Sequence, residues 1–391
     1  MSQPLPPRPL RLLFVSHSFP LPGDPLSNLG GMQRVAQGLH AALAAHPAVR
    51  LSSLLLETSW KGTPYRIPGY LLKVLRRVPR LVEEERIDVV LFSSLVTAST
   101  ALLLRRSIHA AGARVAAIPI GRDVTLPAPG YQPFVRRVLG ALDAAFPISR
   151  ATARECFARG LRPEVTHVVP CGVDTELFSP PPDRAAARRE LLRAIGGAVP
   201  ADALLLCSVG RHQERKGFQW FADAVMPRLP ADVHYLVSGE GPTTPAIRAA
   251  AARHGLEGRV RLLGRVSEER LRTLYRGADL FVMPNVHVPG DIEGFGVVML
   301  EAGMCGLPVL AADLEGISDV VREGENGHLL PSRDAGAFAR AVLRYREDRA
   351  ALDAFSASAA RHTARSFSWA AVADRFVALL RAPVPTTILP S

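Results

Sequence analysis

Two carboxylates, Glu293 and Glu301, stand eight residues apart in the stretch DIEGFGVVMLEAGMCGLP, residues 291–308. A helix that starts near Val297 would point its free N–H groups at a phosphate. Glu301 would then lie about one turn inside an apolar helix, where a carboxylate needs hydrogen-bond donors such as sugar hydroxyls. Two glycines in the turn let backbone approach a ligand closely: Gly294 and Gly296. The alternative is a surface loop whose helix carries one solvated acid.

A second candidate group is the pair of cations Arg211 and Lys216 in the turn GRHQERKG. Both follow an apolar strand pattern, and a glycine stands on each side of the pair, at 210 and 217. Arginine can bind two oxygens of an anion in a fork, whereas lysine acts as a compact point charge. The turn therefore favours a phosphate site. A solvated basic turn is the alternative, because Arg215 adds a third cation nearby.

Two further glycine-containing loops are weaker signals. Gly30 and Gly31 precede a helical pattern and could hold a phosphate, but the GxGxxG spacing of a dinucleotide site is absent. This absence counts against a dehydrogenase. The loop GEGP, residues 239–242, would bring backbone close to a ligand.

The elements that position these residues follow the same order twice. LRLLFVSHSF (10–19) and ALLLCSVG (203–210) each predict a strand that leads into a glycine-bearing turn and a helix. After each start, strand and helix patterns alternate. The predicted strands are VRLSSLLL, IDVVLFSS, ARVAAIPI and VTHVVP in the first half, and VHYLVSG, RVRLLG, ADLFVMP and LPVLAAD in the second. This alternation predicts an α/β fold with two doubly wound parallel sheets, whose ligands lie at the carboxyl ends of the strands.

Two domains are expected from the length of 391 residues alone. The proline-rich stretch FSPPPD (178–183) interrupts regular structure, so we predict one domain over residues 1–180 and another over 181–365, with a cleft between them.

Composition narrows the function classes. Four separated cysteines without a CxxC pair argue against zinc and disulfides: Cys156, Cys171, Cys207 and Cys305. No apolar run reaches the roughly 18 to 20 residues that span a bilayer, and prolines interrupt the N-terminal apolar stretch, so we expect a cytoplasmic protein.

Charge is distributed unevenly along the chain. Residues 1–180 contain 21 Lys and Arg against 12 Asp and Glu, giving +9, whereas residues 181–391 contain 26 against 24, giving +2. The first half is therefore expected to meet an anionic partner, unless its arginines only solubilise the surface. Nucleic acid is disfavoured, since aromatic residues do not alternate with the basic clusters.

The stretch GYLLKVLRRVPRLVEEE (69–85) combines four cations with apolar residues, as a helix at an anionic membrane surface would. Pro79 is expected to limit this helix to a short one. An ordinary helix that covers the sheet explains the pattern at least as well.

Taken together, these motifs resemble the retaining glycosyltransferases of the GT-B fold, and among them glycosyltransferase family 4. The resemblance covers most of the chain. It is carried by GGMQRVAQGLHAAL, FPISRATARECF, VVPCGVDTELFSP, SVGRHQERKG, VSGEGP, RVRLLGRVSEERLRTLYRGADLFVMPN and the Glu-x7-Glu block EGFGVVMLEAGMCGLPVLAADLEGISDVVREGENGHLLP.

The resemblance implies a role for each matching residue. Arg211 and Lys216 would hold the diphosphate of a UDP- or GDP-sugar, Glu301 the ribose hydroxyls, and Glu293 the donor sugar, with Arg211, Lys216 and Glu293 carrying the catalysis. The remaining donor contacts would come from Gly31, Val266, Gly294, Phe295, Gly296 and Val297. The last helix, 366–382, would return to the first domain, which would face the second across the cleft.

One motif departs from the family. Many relatives have His-Gly-x-Asp after a strand of the first domain, and here the run is Ile120-Gly121-Arg122-Asp123. The family histidine is near the transferred sugar, so the replacement by Ile120 puts sugar preference and activity in question. Arg122, Asp123 and His17 are the candidates to take its place.

The implied reaction moves a hexose, with retention, to an acceptor hydroxyl on a glycan, a lipid or a small molecule. The acceptor is expected to belong to a lipid-linked or cell-envelope glycan, which would bring the protein to the inner face of the plasma membrane. No Asp-x-Asp pair suggests a metal, and no cofactor is expected because the nucleotide-sugar is a substrate. An epimerase of the same fold and a non-catalytic binding subunit stay open. A phosphorylase that uses pyridoxal phosphate is remote, since the chain has only Lys61, Lys73 and Lys216.

Overall fold

The structure is a computed structural model that describes residues 8–24, 31–59, 61–126, 128–196 and 199–382. These residues form two compact units. The first comprises residues up to Gly172 together with those from Trp369, and the second runs from Val173 to Ser368.

The first unit contains a parallel sheet of five strands in the order β2-β1-β3-β4-β5. Its strands are β1 (Leu10–Phe19), β2 (Val49–Glu57), β3 (Val89–Phe92), β4 (Arg114–Ala117) and β5 (Ala144–Ala145). Its helices are α1 (Gly31–Ala45), α2 (Thr63–Glu84), α3 (Leu95–Ala98), α4 (Ala101–Ala110), α5 (Arg122–Thr125), α6 (Tyr131–Gly140) and α7 (Arg150–Phe157), with a 3₁₀ turn at Pro163–Val165. Helices cover this sheet, so β3 is buried along its whole length and is apolar throughout.

The second unit contains a parallel sheet of six strands in the order β11-β10-β9-β6-β7-β8. Its strands are β6 (Leu204–Val209), β7 (Val233–Ser238), β8 (Val260–Gly264), β9 (Leu280–Met283), β10 (Val309–Ala312) and β11 (Gly327–Leu330). Its helices are α8 (Arg184–Ile195), α9 (Phe218–Trp220, continued by a π-helical turn Phe221–Val225), α10 (Thr244–Arg253), α11 (Glu268–Gly277), α12 (Val297–Met304), α13 (Ala335–Glu347) and α14 (Arg349–Phe367). Short 3₁₀ turns occur at Glu214–Lys216, Met226–Arg228 and Ile317–Asp319.

The final helix, α15 (Trp369–Arg381), packs within the first unit. The indole of Trp369 lies against Gly38 and Gly172, and a Cβ on either glycine would overlap it. Phe376 adds a ring contact with Phe146, with centroids 4.9 Å apart. Glycine is required at both positions because the indole occupies the space of a side chain.

The second unit begins at Val173, ahead of the predicted boundary at residue 181. Val173 donates its N–H to the carbonyl of Phe367, 2.8 Å away, and Phe178 packs edge-on against Tyr275. These contacts attach the segment after Gly172 to the second unit before the proline-rich stretch is reached. Prolines in the sequence indicate where regular structure stops, but they do not indicate tertiary contacts of this kind.

Two expectations about the first unit are wrong. The predicted strand VTHVVP does not form, and Thr166 makes only an isolated parallel bridge with Ala145. Pro147, two residues after Ala145, accepts the N–H of Val169 at 3.1 Å but has no N–H to donate in return, so the ladder does not continue. Pro79 does not shorten the predicted amphipathic helix either, since α2 continues from Thr63 to Glu84.

Packing explains why α2 tolerates its prolines. One face of the helix is buried in the core at four-residue intervals, by Tyr70, Val74, Val78 and Val82. This burial outweighs the hydrogen bond that each internal proline removes. The opposite face is exposed and basic, with Arg66, Lys73, Arg76, Arg77 and Arg80. Helix α2 therefore covers the sheet, as the alternative interpretation of its sequence stated.

Candidate functional site

The candidate residues of the second unit follow the carboxyl ends of neighbouring strands. Lys216 lies in the turn after β6, and Glu293 lies in the connection after β9, the strand next to β6 in the sheet. Parallel strands bring their carboxyl ends to one edge, so residues far apart in the chain meet there.

The turn after β6 directs Lys216 inward and leaves Arg211 outside. Lys216 ends the 3₁₀ turn Glu214–Lys216 and is only 6% exposed, whereas Arg211 is exposed. Gly217 follows with φ +66°, and a Cβ there would overlap the carbonyl oxygen of Pro284. The turn therefore needs glycine to pack against the segment after β9.

Lys216 and Glu293 form a buried ion pair. The Lys216 Nζ lies 2.5 Å from Glu293 Oε2, and Glu293 is 7% exposed. Asn285 donates its side-chain N–H to the same oxygen at 3.2 Å, and the Arg215 Nε lies 3.6 Å from it. The Arg215 guanidinium also lies 3.2 Å from Asp291 Oδ2. Two cations and an amide thus surround one carboxylate.

These partners keep Glu293 ionised. Burial, the largest single influence, raises its pKa, but the charges of Lys216 and Arg215 and the hydrogen bonds from Lys216 and Asn285 outweigh it. The net effect lowers the pKa of Glu293 below its usual value. The site therefore holds a carboxylate anion beside a buried ammonium group at neutral pH.

Helix α12 begins at Val297, as the sequence predicted. Gly296 precedes it with φ +84°, and a Cβ there would lie 2.7 Å from the methyl group of Met299. Phe295 is buried and packs edge-on against Phe367, with ring centroids 6.4 Å apart. Gly294 and Val297 are half-buried. The first residue of α12 thus follows four residues after Glu293, and an aromatic side chain anchors this end of the helix.

Glu301 lies inside α12 and is 2% exposed. Tyr275 on α11 donates its hydroxyl to Glu301 Oε2 at 3.1 Å. The predicted burial of this carboxylate among apolar neighbours is confirmed, and a protein hydroxyl supplies a hydrogen bond to it.

The loop GEGP packs against the turn after β6. A Cβ on Gly239 would overlap the carbonyl of Gly210, and one on Gly241 would overlap that of His212. Val266, predicted to lie near a base, is half-buried and follows β8, whose terminal Gly264 accepts the N–H of Gly239 at 2.8 Å. The turns after β6, β7 and β8 therefore form a contiguous edge.

Two buried polar atoms after β6 and β9 have no hydrogen-bond partner among the described residues, His212 Nε2 and Asn285 Oδ1, and Arg215 Nε has only its 3.6 Å ion-pair contact with Glu293. Buried polar groups are normally paired, so unpaired ones gathered at one edge point to groups that a ligand would satisfy.

Sequence reasoning missed three residues of this site. The sequence presents Arg215 only as a neighbouring cation. It indicates no role for Asn285, or for Glu315, whose carboxylate accepts the backbone N–H of Glu293. A signal existed for Arg215, because it directly precedes Lys216 in the predicted phosphate turn. None existed for Asn285 or Glu315, which reach the site only through tertiary folding.

In the first unit, Asp123 is buried and serves the backbone. Its carboxylate accepts the N–H groups of Leu95, Ile120 and Gly121, each at 2.9 Å. Burial raises its pKa, although these hydrogen bonds oppose the shift. With its oxygens occupied in this way, Asp123 is poorly suited to replace the family histidine at a sugar.

The other candidates of the first unit differ in exposure. Arg122 is exposed, Ile120 is half-buried, and His17 is buried with Nδ1 3.5 Å from the Ser94 hydroxyl. Burial lowers the pKa of His17 to about 4, so its imidazole is neutral. Gly31 is the exposed first residue of α1, and no described atom lies within 4 Å of a Cβ built there; Gly30 lies outside the described residues.

Within the described ranges, no three His, Cys, Asp or Glu side chains are grouped so that they could hold a metal ion. None of the helices described here combines the length and apolarity that crossing a membrane requires.

Both units match known families. Residues 203–348 match Glycosyl transferases group 1, and residues 29–177 match Glycosyltransferase Family 4. The D-inositol 3-phosphate glycosyltransferase of Geodermatophilus obscurus is 40% identical over 233 residues, which are 56% of this chain and 48% of the relative. D-inositol 3-phosphate glycosyltransferase 1 of Catenulispora acidiphila is 33% identical over 303 residues, 74% of this chain and 69% of the relative. The chain thus spans about half the length of the first of these relatives.

The fold agrees with this match. The Anabaena protein Alr3699/HepE, solved in complex with UDP, superposes with a TM-score of 0.72 at 18% identity, covering 95% of this chain and 99% of the other. The two parallel Rossmann-like sheets, together with this structural similarity, define the fold as GT-B. The chain belongs to glycosyltransferase family 4.

Proposed function

We propose that this protein transfers a hexose from a nucleoside diphosphate sugar to an acceptor hydroxyl. The observation that supports the proposal most directly is the buried Lys216–Glu293 pair, 2.5 Å apart, whose carboxylate belongs to the residue four positions before the start of α12. A cation and a helix N-terminus together suit a diphosphate, and a carboxylate beside them suits sugar hydroxyls.

In this proposal, Arg211 and Lys216 hold the diphosphate, Glu301 the ribose, and Glu293 the sugar. Entry of a diphosphate gives Lys216 a second anionic partner, so the ammonium group is shared between phosphate and Glu293. The backbone of Phe295, Gly296 and Val297 lies along sugar and phosphate, and Gly31 and Val266 are assigned to the donor as well.

The reaction proposed breaks the C1–O bond of the donor, and the electron pair leaves with the nucleoside diphosphate. The acceptor oxygen bonds to C1 on the same face, so configuration is retained, and its proton passes to the departing phosphate. Negative charge grows on that phosphate, where Arg211, Lys216 and the N-terminus of α12 stabilise it. No metal ion or cofactor is part of this proposal.

UDP-glucose is the first donor to test, because the Anabaena protein has been solved with UDP-glucose bound. GDP-mannose is the second. The acceptor proposed carries a phosphate: two relatives are named for D-inositol 3-phosphate, and the first 180 residues have a net charge of +9. Inositol phosphate and a lipid-linked phosphate both meet this description.

The experiment measures free nucleoside diphosphate and the fate of the sugar after incubating wild-type protein with each donor, with and without D-inositol 3-phosphate. Release that increases with acceptor, together with a new glycoside, supports transfer. Conversion of the donor sugar without acceptor would support the epimerase alternative instead. Tight donor binding without any turnover would support the alternative that the protein is a non-catalytic binding subunit.

We further propose that the exposed face of α2 contacts an anionic membrane at the cytoplasmic side. Five cations lie on this face, and Tyr65 and Leu72 are exposed beside them at 87% and 47%. Cations with exposed aromatic and aliphatic side chains are the composition that an interfacial helix uses.

Flotation with phosphatidylglycerol vesicles tests this contact. The variant R76Q/R77Q/R80Q should float less than wild type, whereas R193Q/R248Q/R270Q, with the same charge change on exposed residues of the second unit, should float as wild type does. Equal loss in both variants would indicate that only net charge matters, and the assignment to α2 would fail.

A further inference from the structure

Glu315 has a backbone conformation that favours glycine. It lies three residues after β10 and has φ +52°, one of three described residues other than glycine with positive φ. Side chains of L-amino acids are disfavoured in this region, and glycine is not. A residue other than glycine at such a position suggests that its side chain has a function.

The carboxylate of Glu315 holds the backbone of Glu293. Its Oε2 accepts the Glu293 N–H, and its Oε1 lies 3.6 Å from His287 Nδ1. The next residue, Gly316, donates its N–H to the carbonyl of Glu293 at 3.1 Å. Residues 315 and 316 therefore bind both the N–H and the C=O of Glu293.

The approach of the two segments is close enough to require glycine at 316. A Cβ there would overlap the carbonyl oxygen of Gly294. The turn after β10 thus lies directly against the peptide groups of 293 and 294, ahead of the start of α12.

The segment that contains Glu293 needs such support. Residues 284–296, between β9 and α12, contain neither helix nor strand, so no ladder of backbone hydrogen bonds fixes them. Yet Glu293 must keep its carboxylate 2.5 Å from Lys216. Hydrogen bonds from outside the segment are the available means of holding it in place.

The arrangement has an electrostatic cost. Burial raises the pKa of Glu315 and the negative charge of Glu293 adds to this effect, while the hydrogen bond from the Glu293 N–H and the neighbouring His287 only partly offset it. A second carboxylate near Glu293, in a strained backbone, is unfavourable for stability alone. A functional gain from a fixed Glu293 would explain why a glutamate stands there.

We propose that Glu315 is a positioning residue, which fixes the peptide of Glu293 and thereby the donor contacts that Glu293 and the N-terminus of α12 make. That these contacts are made to a donor rests on the proposed function. The positioning of Glu293 by Glu315 does not, because it is a property of the ligand-free protein.

Three variants test the proposal. E315G removes the carboxylate and relieves the backbone strain, E315Q keeps an oxygen that can accept the Glu293 N–H, and R86G relieves a similar positive φ of +50° in the first unit. Two readouts are used: hydrogen exchange of the peptide that contains the Glu293 amide in ligand-free protein, and kcat/KM for donor turnover.

In E315G, the Glu293 amide should exchange at least about 10-fold faster and kcat/KM should fall about 10-fold, while Tm does not decrease. E315Q and R86G should stay within about 2-fold of wild type in both readouts. If Glu315 had a purely structural role, activity would fall only together with Tm.

Unchanged exchange of the Glu293 amide in E315G would overturn the proposal, as would equal acceleration in E315Q. If wild-type protein turns over no donor, the proposed function fails, and the exchange measurement still decides whether Glu315 holds Glu293.

Discussion

Lys216 and Glu293 form an ion pair whose nitrogen and oxygen lie 2.5 Å apart, with both side chains more than nine-tenths buried. The two residues follow neighbouring strands of the second sheet, β6 and β9. A buried pair of this kind contributes little net stability, but removal of one partner leaves the other charge unpaired in the interior. The pair is therefore sensitive to single substitutions.

K216A and E293A should each lower the free energy of unfolding by about 3 to 5 kcal/mol. The double variant should lose less than the two single losses added together, because it leaves no unpaired charge. Urea unfolding of the four proteins measures this cycle. Additive losses would mean that the pair does not interact as the structure describes.

The same variants should lower kcat/KM for donor turnover by at least about 100-fold, because both groups are assigned to the donor. R228A, an exposed arginine in the second unit, is the control and should keep wild-type values. Activity that survives in E293A or K216A would contradict the assignment of these residues.

Local sequence patterns predicted the elements whose start and type depend on neighbouring residues. The start of α12 at Val297 follows from Gly296 and the apolar run after it, and this prediction is confirmed. So is the strand Leu10–Phe19. The two-residue strand β5 was missed because it is too short to show a pattern.

The partners of Glu293 could not be predicted in the same way. The turn after β6 favoured a phosphate site at Lys216, and the family resemblance implied a sugar contact for Glu293, but nothing in the sequence indicated that the two would pair in the ligand-free protein. Glu315 reaches Glu293 because β10 lies next to β9 in the sheet, and Asn285 reaches it because the connection after β9 folds back on itself. Pattern and spacing specify neither. Tertiary contacts of single side chains carry no periodicity.

G217A should be far more destabilising than a substitution at another glycine of similar backbone conformation. Gly217 and Gly255 have φ +66° and +62°, but a Cβ at 217 would overlap the Pro284 carbonyl, whereas no atom of the described residues lies within 4 Å of one at 255. G255A should cost about 1 kcal/mol for its backbone alone, and G217A at least about 3 kcal/mol. Urea unfolding compares the two, and similar costs would show that the turn after β6 can move away from Pro284.

Y275F should weaken donor binding through Glu301. The variant removes the hydroxyl that donates to Glu301 at 3.1 Å, so a buried carboxylate loses a hydrogen bond. We expect a loss of about 1 to 3 kcal/mol in the free energy of unfolding and a higher Kd for UDP. Calorimetric titration with UDP measures the second effect.

Y65F is the matched control, since it removes a hydroxyl from a side chain that is 87% exposed. It should leave stability and the Kd for UDP unchanged. If Y275F also binds UDP as tightly as wild type, the ribose assignment of Glu301 loses its support.

H17Q should make the protein less sensitive to acid. Burial lowers the pKa of His17 from 6.5 to about 4, so the unfolded chain binds a proton more tightly than the folded one. The contribution of His17 to the free energy of unfolding is largest above pH 6.5 and decreases as the pH falls from 6.5 to about 4. Below pH 4 it no longer changes. Relative to H17Q, wild-type protein should therefore lose about 2 kcal/mol between pH 7.5 and pH 5. Urea unfolding at both pH values measures the difference, and parallel losses in the two proteins would show that His17 is accessible to protons in the folded state.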